Sequence, residues 1–438
     1  MCIRDSSNTT SRTLRVAAEL LRHGIDPEEI YRVIYASNPE GRVRLVAEVL
    51  DTLIVERDVG HLILPDEVQV QASDADAGGP DGRIASRAIA PPADELERAV
   101  GMIAEAETPA IIVGHGSRFE MDPVLALAER LNCPVLTSFK AKGAVSDHHR
   151  LGCGVLGRSG TPVASYFMNE ADLLVVFGAS FSNHTGISDY KPIIQVDDDP
   201  MQLGRFHSVT VPVLGNAAVT AEALLASLPG SVASADRSDL IADRWRIWRA
   251  EKERRVADDR GEGVSSAAVF AALTTATPAD AVIAVDVGNN AYSFGRYFEC
   301  DRQAILMSGY LGSIGVGFPA AMGAWAAAPD RAVVSVTGDG GFGQYMAEIT
   351  TAVKHEMPIK HVLLNNSELA KISKEQRDAH LAVWQTSLHN PDFRRFAENA
   401  GARGIRVTRR EELADAFAEM YAHPGPVLVE VLVDSGLL

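Results

Sequence analysis

The chain has 438 residues, 46% hydrophobic and 23% charged, the ordinary balance of a globular protein of two to four domains. Its net charge of −17 argues against nucleic acid or an anionic membrane as partner, because phosphate binding rests on Lys and Arg. Cys2, Cys133, Cys153 and Cys300 show no CxxC or ligand-like spacing, so a disulfide framework is not expected and a reducing cytoplasm is the default location; no apolar stretch is long enough to form an integral membrane segment.

Residues 1–6 have neither a signal architecture nor structural logic and read as a cloning or assembly scar. Residues 7–57 read as a helical segment. Leu14, Ala17, Ala18 and Leu21 form an apolar stripe, Gly24 ends it, and Asp26-Pro27-Glu28-Glu29 restarts a helix with acids at its positive end. A third helix follows Pro39. Residues 58–72 contain a short buried-strand pattern, His61 to Pro65, and residues 73–92 read as an Asp-, Ala-, Gly- and Pro-rich linker.

Residues 93–227 alternate helix and strand. Helices are expected from Pro92 and Pro123, and strands at 110–113, 134–137, 172–177 and 193–196, each an apolar run that stops near Gly or Asp. Residues 228–264 connect, with an amphipathic helix through Arg244, Trp245 and Trp248. Residues 265–438 form another α/β unit, with strands expected at 282–285, 304–307, 332–337, 361–364, 405–407 and 426–433. The fold class is therefore α/β: two doubly wound parallel-sheet domains preceded by a small helical segment.

The strongest chemical signal is the run from Val333 through Gly338-Asp339-Gly340-Gly341 to Phe342. A buried strand delivers an acid inside a glycine turn that opens a helix, where open parallel sheets bind ligands and free N–H groups meet phosphates. A second apolar strand ends in Asn365-Asn366. Asp and Asn oxygens from neighbouring strand ends suit Mg2+, which takes few protein ligands and completes its shell with phosphate oxygens.

This pairing, with Asp339 and Asn366 separated by 27 positions, resembles the thiamine diphosphate fingerprint of the pyruvate oxidase/acetolactate synthase family. The resemblance implies that Asp339, Asn366 and the backbone carbonyl of Glu368 bind Mg2+, and that Gly338, Gly340 and Gly341 meet the diphosphate. The stretch from Ser308 to Ala321 resembles the family's glycine-rich loop. Ser313 and Ile314 then join the cofactor-binding set, with Ile314 where the family places a bulky residue under the bent cofactor. Asp286-Val287-Gly288-Asn289-Asn290 resembles the first phosphate-side turn, which adds Gly288, Asn289 and Asn290.

Residues 93–227 resemble the same family's Rossmann-like central domain, which holds FAD in some members and none in others, so FAD stays open. The resemblance suggests flavin contacts at Gly114, Gly116, Gly157, Gly178 and Asp197, with Lys142 at the diphosphate. Glu375-Gln376 matches the Glu-Gln of some pyruvate oxidases and makes Glu375 the catalytic candidate; Lys371 stands where those enzymes carry an aromatic.

The expected activity is decarboxylation of a 2-oxo acid such as pyruvate, with acetolactate synthase-like carboligation as the alternative. Only the end of a pyrimidine-binding domain is recognisable, at 58–72, and no activating Glu motif precedes it. Residues 7–57 instead resemble a helical piece of DHH-type phosphoesterases without their metal-binding acids, so the join reads as chimeric. Two further expectations follow: a binding-only fragment that holds the cofactor without turnover, and a homo-oligomer or a pyrimidine-domain subunit acting in trans.

Overall fold

The computed structural model describes residues 86, 88–309 and 312–437. The segments expected at 1–6, 7–57 and 58–72, and most of the linker, lie outside the described residues. Residues Ile89–Leu438 form one compact unit.

The unit is built on two six-stranded parallel sheets flanked by helices. The first contains β1 (Pro109–Val113), β2 (Val135–Thr137), β3 (Gly152–Val155), β4 (Leu173–Phe177), β5 (Ile193–Asp197) and β6 (Val211–Leu214) in the order β3-β2-β1-β4-β5-β6. The central strands β1 and β4 are buried at every position, as expected where helices cover both faces. The sequence reading missed β3 and β6, and both are edges. Gly-Cys-Gly-Val has little strand propensity, and Val-Pro-Val-Leu carries Pro212, which an edge tolerates because one side needs no ladder donor.

The second sheet contains β7 (Val282–Val285), β8 (Ala304–Met307), β9 (Val333–Gly338), β10 (Lys360–Asn365), β11 (Arg403–Val407) and β12 (Val427–Leu432) in the order β11-β12-β10-β9-β7-β8. All six were expected from sequence, with ends shifted by a residue or two. In each sheet the chain winds to one side of its first strand and then crosses to the other. The first sheet reverses between β1 and β4, the second between β7 and β9. A crevice forms beyond the strand ends at such reversals.

The expected amphipathic helix spans Ser238–Ala257 and buries Ile241, Trp245, Trp248 and Lys252 along one face. Trp245 Nε1 donates to the carbonyl of Gly152 at 2.7 Å, while Lys252 and Arg249 pair with Glu299 at 2.9 and 3.0 Å. The helix is thereby fastened both to the edge of the first sheet and to the segment leading into β8.

Candidate functional site

Three turns meet beyond the ends of β7, β9 and β10. After β9, Asp339 begins the helix Asp339–Tyr345 and is only 4% exposed. Its Oδ1 accepts the amide N–H of Gly340 at 3.0 Å; its Oδ2 accepts the N–H of Ser367 at 2.7 Å and the side-chain amide of Asn390 at 2.8 Å. Burial pushes this carboxyl above its ordinary range, and these three donors pull the other way. A buried carboxylate oriented by donors is suited to a cation.

Asn365 ends β10 and Asn366 follows it. Asn366 Oδ1 accepts the N–H of Glu368 at 3.2 Å and so closes a short turn. Ser367 within it sits at φ 56°, a left-handed conformation uncommon for a residue with a Cβ. Beyond the turn, Leu388 N–H donates to Ser367 O and Leu369 N–H to Thr386 O, neither of which engages the Glu368 carbonyl.

After β7, Asp286 is fully buried and accepts the N–H groups of Val287 at 2.9 Å, Gly315 at 2.9 Å and Val316 at 3.1 Å. Burial raises its pKa, and these amides lower it. Asp286 thus holds the loop carrying Ser313 and Ile314 against the end of β7. Gly288 adopts φ 129°, and Asn290 donates to the carbonyl of Asp286 at 2.8 Å. A Cβ on Gly341 would lie 1.9 Å from Asp286 Oδ2, so the β9 turn can close on this carboxylate only with glycine there.

The structure therefore gathers Gly338, Asp339, Gly340, Gly341, Asn366 and Glu368, with the 288–290 turn and the Ser313–Ile314 loop held beside them through Asp286. Glu375 stands apart. It lies on the exposed face of the helix Ala370–Asp378, where Lys371 Nζ reaches its Oε1 at 2.7 Å.

Sequence reasoning missed four organising residues. Asp286 lies in the 286–290 turn, but Gly315 and Val316, which it holds, are about 30 positions away. Asn365 lay in the Asn pair without a role. Asn390 carries no local signal. Glu430 is a lone acid in the apolar strand β12, and a charge buried at 0% exposure was the available clue.

At the first sheet's reversal the glycines pack on each other. Gly114 N–H donates to Phe177 O at 2.8 Å and Gly116 N–H to Gly178 O at 2.9 Å. A Cβ on Gly114 would fall 2.2 Å from Ala179 Cα, and one on Gly157 would fall 2.1 Å from His184 O. Asp197 accepts the N–H of Asp199 at 3.0 Å. The expectation that Lys142 meets a flavin diphosphate is corrected: its ammonium is buried 3.0 Å from Asp147, which also accepts the N–H of Cys300 at 2.7 Å. These residues are accounted for by packing, and they add no separate observation in favour of a flavin.

Among the described residues no helix is long and apolar enough to cross a membrane. No three His, Cys, Asp or Glu residues gather there as a metal site, so a cation at Asp339 would depend on amide and carbonyl oxygens too. Cys133, Cys153 and Cys300 are buried and free.

Comparison with known proteins gives two domain matches. Residues 286–431 match the family described as thiamine pyrophosphate enzyme, C-terminal TPP binding domain, and residues 96–224 match thiamine pyrophosphate enzyme, central domain. Among curated proteins, the chain is 34% identical over 351 residues to a Bacillus subtilis protein whose name describes it as thiamine pyrophosphate-containing, covering 79% of this chain and 60% of that one. It is 32% identical over 359 residues to the acetolactate synthase isozyme 3 large subunit of Escherichia coli, covering 78% and 62%. To the isozyme 2 large subunit of the same organism it is 29% identical over 403 residues, covering 89% and 71%. The chain spans about 60% of the length of the first two relatives.

Proposed function

With residues 96–224 and 286–431 belonging to the thiamine pyrophosphate enzyme family as its central and C-terminal domains, we propose that the second sheet's crevice binds thiamine diphosphate through Mg2+. Asp339, Asn366 and the carbonyl of Glu368 hold the metal. Gly338, Gly340, Gly341, Gly288, Asn289 and Asn290 face the diphosphate, and Ser313 and Ile314 support the rings. The observation that carries this reading is the Asp339 carboxylate, buried and oriented by three donors at the point where the sheet reverses. The oxygen-only donor set suits a hard cation that keeps phosphate oxygens in its shell.

When bound, thiamine diphosphate supplies the carbanion chemistry that removes CO2 from a 2-oxo acid. The protein's part is positional. Asp286 holds the 313–316 loop through backbone amides, and Gly341 lets the β9 turn close on it. Pyruvate is the substrate of first choice, with Glu375 the acid on the substrate side. Carboligation with a second 2-oxo acid is the second reading, and the similarity to acetolactate synthase large subunits favours it. The active form is a homo-oligomer or an assembly with a separate pyrimidine-binding subunit. The domain limits 93–227, 228–264 and 265–438 belong to this proposal.

Calorimetry of the full chain with thiamine diphosphate, with and without Mg2+, tests the site. Binding that requires Mg2+ and is lost in Asp339→Ala is expected; binding indifferent to metal and to the substitution overturns the reading. A pyruvate turnover assay then separates enzyme from binding-only fragment: CO2 with acetate points to oxidation, CO2 with acetolactate to carboligation, and tight binding without CO2 to the fragment.

A further inference from the structure

Asp339 is tied to the strand β12 by a relay of side-chain amides. The NH2 group of Asn390 donates to Asp339 Oδ2 at 2.8 Å and to Asn365 Oδ1 at 2.9 Å. The NH2 group of Asn365 donates to Glu430 Oε1 at 2.7 Å. Glu430 is fully buried and receives Arg406 through Nε and a terminal nitrogen at 2.9 and 3.0 Å. A carboxylate at each end fixes the sense of the relay, because each amide must turn its hydrogens toward an acid. An ionised carboxylate has about four acceptor positions. Ser367 and Asn390 take both of those on Asp339 Oδ2, and Gly340 takes one on Oδ1.

The same contacts clamp a stretch of chain. Residues 367–390 leave β10 and return to it, and both ends converge on Asp339: Ser367 through its N–H and Asn390 through its amide. Between them, Leu388 N–H bonds Ser367 O, and the Ser373 and Thr386 hydroxyls meet at 2.8 Å. The middle of the stretch exposes Leu381, Val383 and Trp384.

We propose that Asn390 is a positioning residue of the metal site: it engages Oδ2 of the Asp339 carboxylate so that Oδ1 is presented to a divalent cation, and it fastens the far end of the 367–390 stretch to that ligand. The inference rests on the reading above that Asp339 binds Mg2+. It makes the first Asn of the pair a structural relay, distinct from Asn366, and it couples metal occupancy to the placement of Trp384.

The test titrates MgCl2 into the full chain at saturating thiamine diphosphate, read by calorimetry and by tryptophan fluorescence, with Trp384→Phe to assign the optical signal. Asn390→Ala is expected to weaken Mg2+ binding about tenfold or more, as loss of a partner behind a metal ligand does, and to remove the Trp384 response. Thr386→Ala, which loosens the same stretch without touching Asp339, should leave Mg2+ affinity within about twofold even if the metal-free Tm falls. Should Asn390→Ala not fold, Asn390→Ser carries the same comparison with a single hydroxyl donor. Unchanged Mg2+ affinity in the Asn390 variant overturns the inference, as does equal weakening by Thr386→Ala, which would mark a purely structural role. A wild-type chain that binds thiamine diphosphate without regard to Mg2+, or not at all, overturns the cofactor reading and this inference together.

Discussion

The two sheet reversals share a topology and differ in what fills them. At the first, the glycine turns after β1 and β4 close on each other, backbone against backbone, with amide hydrogens engaged across the gap. At the second, the turns after β7, β9 and β10 close around two buried carboxylates, Asp286 and Asp339. A reversal makes a crevice, and side chains decide whether it becomes packing or a polar site. Glycine therefore means two things in one chain: at 114 it permits contact with another backbone, and at 341 it permits contact with the buried Asp286 carboxylate.

Alanine substitutions sharpen this contrast most. Gly114→Ala drives a Cβ to 2.2 Å from Ala179 Cα and Gly178 O, neither of which can swing aside. A loss of at least about 1–3 kcal/mol in stability is expected, seen as a lower Tm by calorimetry whatever the ligand. Gly340→Ala meets only the side-chain ends of Leu369 and Leu388, at 2.6 and 3.3 Å. The fold should survive with Tm near wild type, while thiamine diphosphate affinity falls about tenfold or more, a cost of about 1.4 kcal/mol or more. If Gly114→Ala left Tm unchanged and Gly340→Ala unfolded the chain, the contrast would be reversed.

A histidine kept neutral by its surroundings lies within the second sheet and another at the end of the first, and these give the next largest effect. His361 of β10 is fully buried among Phe318 and Phe342 and bonded through Nε2 to Thr337 Oγ1 at 2.8 Å. Burial lowers its pKa from 6.5 to about 3. His115, beside the first reversal, is lowered to about 4 by burial and then by the Arg118 and Lys140 charges. A folded pKa below the unfolded one means that the unfolded chain takes up the proton first. The stabilisation is complete above pH 6.5 and is lost as pH falls toward the folded value. Between pH 7 and 5, His361 should account for about 2 kcal/mol of lost stability, set by the unfolded pKa alone. Urea unfolding of His361→Leu should show a correspondingly shallower pH dependence. An undiminished slope would assign the effect to His115 and the first sheet.

How far the sequence reveals all this follows from the distance over which each feature is encoded. β1, β4, β9 and β10 were readable because a strand buried on both faces must be a continuous apolar run. The edges β3 and β6 were not, since a strand with one neighbour can be Gly-rich or hold Pro212. That the Asp339 and Asn366 turns adjoin was readable because each sits in a contiguous motif at a strand end. Asn390 and Glu430 were hidden because the relay joining them to Asp339 exists only after β9, β10 and β12 lie side by side. Lys142 was misassigned for a related reason. A lysine after a strand and before glycine resembles a phosphate ligand, and only the fold turns it inward onto Asp147.

The smallest effect concerns Glu375, where stability and function should separate. Its carboxylate is 57% exposed and bonded to Lys371 one helical turn earlier. An exposed pair four positions apart contributes about 0.3–0.5 kcal/mol, and Lys preceding Glu is the weaker order. Glu375→Gln should thus leave Tm almost unmoved and leave Mg2+-dependent thiamine diphosphate binding intact, because among the described residues the Glu375 side chain bonds Lys371 and not Asp339 or its donors. If Glu375 serves as the acid on the substrate side, the same variant lowers kcat for pyruvate without that loss of cofactor affinity. An unchanged kcat would return Glu375 to the solvated helix face on which it sits.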